Sequence, residues 1–179
     1  MKKKPDRNET RERLNSLVEG SSRGGYTLSA ATAEPLKRRL RGLWEVREHT
    51  LGGDNYLSRF VARSLKGVRM ANAEYRAEYE FRESICLKRV EILGSIPAGT
   101  EDAEYRYRLR VASTWDLDGP GLLAIRAELG YQCTELGGTT AIVKDLDDPP
   151  APVSVSFRFD GDTLVLEEGD DIKRLERVR

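Results

Sequence analysis

The chain has little of several things, and each shortage removes a class of function. Its 179 residues include one histidine and two cysteines. Neither Cys86 nor Cys133 has a Cys-x-x-Cys neighbour or a histidine close by. No zinc or redox motif is therefore encoded, and no metal or cofactor is expected. With His49 alone, a Ser-His-Asp arrangement would have to be assembled in space around that one side chain. No catalytic residue is expected, and the sequence does not read as an enzyme. No apolar run approaches the roughly 20 residues of a membrane-spanning helix. The basic start MKKKPDR has no apolar stretch behind it, so it does not read as a secretory signal. The chain as it stands is expected in the cytoplasm, or in the periplasm or outside the cell if it is cut from a longer exported one. Charge of one sign is also missing. Thirty Lys and Arg balance thirty Asp and Glu. Without a basic excess, no nucleic-acid partner is expected.

What is there is a polar surface and a β period. Charged residues are 34% and hydrophobic residues 39% of the chain, a balance that suits one soluble domain with a genuine core. Residues 1–35 read as a tail, with a weak helix over 10–19 and an irregular glycine-serine loop behind it. Residues 36–179 read as the domain. A short helix is expected after Thr32 as N-cap, with Pro35 in its first turn and Gly42 as its stop. Lys37, Arg38, Arg39 and Arg41 would form its wet face, either as plain solvation or as a patch for acidic groups. A second helix, capped by Asp54 or Asn55, carries Leu57, Phe60, Val61 and Leu65 on one stripe and stops at Gly67.

Elsewhere the period is two. In AEYRAEYEFR, Tyr75, Ala77, Tyr79 and Phe81 alternate with Glu74, Arg76, Glu78 and Glu80. In AEYRYRLRVASTW, Tyr105, Tyr107, Leu109, Val111 and Trp115 alternate with Arg106, Arg108 and Arg110. Further runs follow, joined at Gly137-Gly138 and at Asp160-Gly161, the latter a hairpin signal. With no β-helix-β rhythm, the expected fold is mainly β: an antiparallel up-and-down barrel of about eight or nine strands, closed so that it has no edges.

Several residues invite a chemical reading. The three arginines on one strand face repel one another unless acids lie across from them. Glu74, Glu78 and Glu80 are the expected partners, and an anion-binding stripe is the alternative. Acidic clusters such as Asp116 and Asp118 read as turn formers, with a calcium loop as the rival. His49 reads as a surface residue at a strand end. Cys86 and Cys133 read as buried thiols, or as a cross-strand disulfide in an oxidising compartment.

Gly42-Leu43-Trp44, opening the first strand after a helical turn, resembles the Gly-x-Trp signature of lipocalins and the wider calycin barrels. STWDLDGPGLLAI and the closing FRFDGDTLVLEEGDDIKRLERV resemble the middle and final strands of bacterial lipocalin-like domains. The likeness covers residues 36–179. It implies that Arg177 or Arg174 lies across the Trp44 indole and closes one end of the barrel, with Gly42 beside it. It also implies an interior that holds one small molecule. Phe60 on the second helix, with Tyr75, Tyr79, Phe81, Tyr105, Tyr107 and Trp115 on the strands, would line that interior. Two functions follow. One is a binding protein for an apolar or amphipathic ligand, with the second helix as lid or plug. The other is a fully packed barrel that docks on a protein partner. The volume inside the barrel discriminates them.

Overall fold

The computed structural model describes residues 29–66, 68–145 and 151–179. The expected helix at 10–19, the loop after it, Gly67 and most of the proline-rich loop lie outside the described residues. Within them the order is α1 (Ala30–Leu40), β1 (Gly42–Leu51), β2 (Asp54–Asn55), α2 (Tyr56–Ser64), β3 (Ala71–Phe81), β4 (Ile85–Ala98), β5 (Glu101–Gly119), β6 (Leu122–Leu136), β7 (Thr139–Asp145), β8 (Val153–Asp160), β9 (Thr163–Glu168) and β10 (Asp171–Arg177).

The strands pair antiparallel along β1-β3-β4-β5-β6-β8-β9-β10, and β10 returns to pair with β1. This is a closed eight-stranded barrel. Closure satisfies both edges of the ring, which an open sheet of this length would leave exposed. Two strands lie off the ring. β2 adds two residues to β1. β6 pairs with β8 as far as Ile125 and with β7 from Tyr131 onward.

The two-residue period explains the core. Trp44, Val46, Ala77, Tyr79, Phe81, Val90, Ile92, Trp115, Leu123, Phe157, Leu166 and Leu175 are all buried, most of them alternating with polar neighbours, so each strand of the ring contributes side chains to the interior. The charged face is laddered outside, but with other partners than the sequence suggests. β3 pairs with β4, not β5, so Glu78 and Glu80 meet Arg89 instead of the arginine row. Arg108 pairs with Glu135, and Arg106 with Glu104 at 3.2 Å and Glu91 at 3.9 Å.

Three further expectations are corrected. α1 starts before Thr32, because the N–H groups of Thr32 and Ala33 already donate to the Ser29 carbonyl at 2.9 and 3.0 Å. Pro35 therefore sits mid-helix, where its absent N–H leaves the Ala31 carbonyl without a helical donor. Ala31 is exposed, so water can serve that carbonyl. At the other end, Arg41 turns extended (φ −56°, ψ 137°) and Gly42 begins β1 instead of capping the helix. The cysteines are both free and buried, in line with the reading as buried thiols and against the disulfide alternative. Cys86 lies opposite Ser113 and Cys133 opposite Arg108, with β5 between them. Two strand spacings exceed what a disulfide can bridge.

Candidate functional site

One end of the barrel is shut by α1 and the start of β1. Gly42 has φ +130°, a backbone that side chains rarely adopt, and a Cβ there would lie 2.9 Å from Arg177 Nη1. Glycine thus makes room for the guanidinium, which sits 4.6 Å from the centre of the Trp44 ring. Arg177 also donates to the carbonyls of Arg41, at 2.8 Å, and Arg39. Trp44 Nε1 donates to the Leu40 carbonyl at 2.7 Å, so its buried N–H is satisfied. Every polar contact ties the C-terminal end of α1 to the barrel floor. The basic run is largely spent here. Lys37 pairs with Asp116 at 2.6 Å, Arg41 with Glu34 at 3.3 Å, and Arg39 lies over Phe159 at 3.9 Å.

The opposite end is filled by α2. Asn55 caps it by accepting from the Ser58 N–H at 3.3 Å, which directs Tyr56 and Phe60 towards the barrel. Phe60 packs on Tyr107 with ring centres 4.8 Å apart, and Tyr56 lies 5.3 Å from Tyr75. Tyr56 also stacks flat on His49, 3.9 Å away.

His49 is not a surface residue: it is 7% exposed. The cause is a bulge. β1 pairs in step with β10 up to Val46–Leu175, and the register shifts before Glu48–Arg174. The extra residue inverts the alternation, so Trp44, Val46 and then His49 are the buried positions of β1. Inside, the imidazole is held from both sides. Its Nε2 lies 2.6 Å from Asp171 Oδ1 and its Nδ1 2.6 Å from the Tyr75 hydroxyl. Asp171 Oδ2 accepts from Lys173 Nζ at 2.7 Å, and Lys173 is only 5% exposed.

The titration properties fit one protonation state. Burial is the largest influence on His49 and lowers its pKa below 6.5, against the opposing pull of Asp171. Burial would raise Asp171, but hydrogen bonds from His49 and Lys173 outweigh it and hold the carboxyl at about 2. A neutral imidazole beside a carboxylate donates from Nε2 and accepts the Tyr75 proton at Nδ1. Burial pushes the Tyr75 and Tyr79 phenols well above 10 and Tyr107 to about 12. These phenols remain neutral donors and supply no nucleophile.

Between the two ends is a partly open cavity of about 160 Å³. Its walls are mostly aliphatic, from Val111, Ile125, Val153, Val155 and Leu166. Lys88, Lys173, Ser113, Cys86 and Glu168 supply the polar groups. Of the seven residues the sequence assigns to a ligand, Tyr79 lines this cavity. Phe60 points down from α2, and Tyr75 and Tyr107 pack beneath that helix. Tyr105 is a core residue beside them on β5. Phe81 and Trp115 meet edge to face 5.3 Å apart, and Trp115 Nε1 donates to the Arg82 carbonyl at 3.0 Å. No α2 residue lines the cavity. The helix seals a packed aromatic layer, not the space itself.

Lys88 and Lys173 are the lining residues sequence reasoning missed. A signal was present: Lys88 is in phase with Cys86, Val90 and Ile92, and Lys173 with Leu175. A cation at an inward position of a strand is costly unless it has a role or a partner. Among the described residues, no group of three or more His, Cys, Asp or Glu side chains is placed to hold a metal ion, and no helix is long and apolar enough to cross a membrane. Comparison with protein-family models, with curated proteins and with solved structures finds no match to the chain.

Proposed function

We propose that this chain is a lipocalin-like binding protein that holds a small amphipathic molecule inside its barrel. The observation that carries the reading is the 160 Å³ cavity, walled by aliphatic side chains yet reached by two lysines. An apolar cavity of about 150 Å³ takes up a benzene-sized guest. Polar groups at the cavity supply orientation, and apolar walls supply the driving force. Native mass spectrometry of freshly purified protein tests this. A bound species of roughly 100–200 Da by that volume argument, released on denaturation, supports the reading. A barrel that carries no adduct and takes up none of a panel of small amphipathic molecules rejects it.

The packed docking module is the second reading, and one observation favours it. Ile142 is 55% and Val143 63% exposed on β7, opposite Thr134 and Cys133 of β6. β7 pairs with β6 alone among the described strands. An apolar edge of this kind suits strand addition by a protein partner. Substituting Ile142→Lys would abolish that association and leave small-molecule uptake unchanged.

A further inference from the structure

Resting on the binding reading, we propose that the guest is a small monocarboxylate whose acid group is taken by Lys88, with Lys173 beside it and the aliphatic wall around its body. Lys88 comes from the middle of β4, where the register sets it between Tyr79 on β3 and Val111 on β5. Both of those residues line the cavity, so Lys88 shares their inward face. Its ammonium lies 5.7 Å from the centre of the Tyr79 ring. It has no carboxylate within 4.0 Å among the described residues, whereas most other inner and outer cations do. It is half-buried. A half-buried cation with no carboxylate partner within 4.0 Å among the described residues carries an electrostatic cost that an incoming anion reduces.

Lys173 has a different position. Its one carboxylate partner, Asp171, is shared with His49. An ammonium has three donors, so Lys173 keeps hydrogen-bonding capacity towards the cavity after serving Asp171. The charge around the space limits the ligand further. Asp171 already offsets Lys173, and the neutral His49 adds nothing. Glu168 also lines the cavity, but from an exposed position. A carboxylate there disfavours a second negative charge on the guest, so one charge is matched and a dianion such as phosphate is not. Apart from Tyr79, Cys86 and Ser113, the remaining lining is Val, Ile, Leu and Ala, which asks for a mostly apolar body.

The test uses two acid–amide pairs of the right size, benzoate with benzamide and hexanoate with hexanamide, titrated into the whole protein by calorimetry. The wild type is expected to bind at least one acid tenfold or more tightly than its amide. Lys88→Met is expected to bring that acid down to the affinity of the amide and leave the amide unchanged. Lys88→Arg is expected to keep most of the preference. Thermal melts of both variants check that the barrel is intact, which the half-exposed position of Lys88 favours. If an amide binds as well as its acid, or if Lys88→Met leaves the acid preference in place, the carboxylate assignment is overturned while the binding reading survives. If none of the four probes binds and purified protein carries no guest, both fall.

Discussion

The guanidinium of Arg177, the last residue of β10, lies 4.6 Å from the ring centre of Trp44, on the first strand. The two ends of the folded chain are thereby joined at the barrel floor, and Gly42 supplies the space in which they meet. A large, buried indole and a multiply bonded arginine at one point make this corner the best place to probe the fold. Trp44→Ala is expected to cost about 3–5 kcal/mol as a large-to-small core change. Arg177→Leu is expected to cost about 1–2 kcal/mol through the lost cation–π contact and carbonyl bonds. Urea denaturation measures both, and a Trp44→Ala protein that unfolds with the parent would contradict the packing described.

Gly42→Ala adds two separable penalties, the φ of +130° and the 2.9 Å approach to Arg177. The expected loss is about 1–3 kcal/mol. In an Arg177→Ala background the steric part vanishes and the backbone part remains. The double-mutant cycle should therefore show a coupling of the order of 1 kcal/mol. Strict additivity would mean that the glycine is needed for its backbone alone.

Stability should fall with acid in two windows. His49 is depressed when folded, so the unfolded chain binds more protons there. Its contribution is complete above 6.5 and is lost as pH falls from 6.5 through the lower folded value. Asp171, held at about 2 against an ordinary 3.8, contributes above 3.8 and loses that contribution as pH falls through about 2. In urea titrations from pH 7.5 to 5, the wild type should lose stability. His49→Gln should be less stable at pH 7.5 but markedly flatter over the same range. An equal slope in the variant would place the imidazole in water.

Cys86 lines the cavity, and burial pushes its thiol up to about 12. A thiol that high carries almost no thiolate near neutrality and is a poor nucleophile. Native protein treated with iodoacetamide at pH 7.5 and mapped by peptide mass should show Cys86 unmodified. The same treatment in denaturant should label it fully. Rapid native labelling would show that the wall beside β4 opens to solvent.

The strands were legible because alternation is a local property: Tyr75 to Phe81 and Tyr105 to Trp115 carry their inside and outside in the order of residues. Gly42-x-Trp44 and the basic C-terminus were legible as a pair only through a family likeness. His49 was not legible, because one inserted residue in β1 inverts the pattern and nothing in REHTL marks it. The arginine row was misassigned for a different reason. Which glutamates face it depends on strand order, and β4 intervenes between β3 and β5. The aromatic residues were correctly read as inward, but which of them touches open space is a matter of side-chain volume. Tyr79 does so, while Phe60, Tyr107, Phe81 and Trp115 fill theirs.

The central claim, that the barrel interior receives a small molecule, is tested most directly by methyl NMR of the labelled protein titrated with hexanoate. Saturable shifts are predicted at Val111, Ile125, Val155 and Leu166, with Val68, Ile142 and Val143 on the surface unmoved. Shifts confined to those surface methyls, or no saturable shift at all with hexanoate, benzoate or either amide in protein that carries no guest, would contradict it.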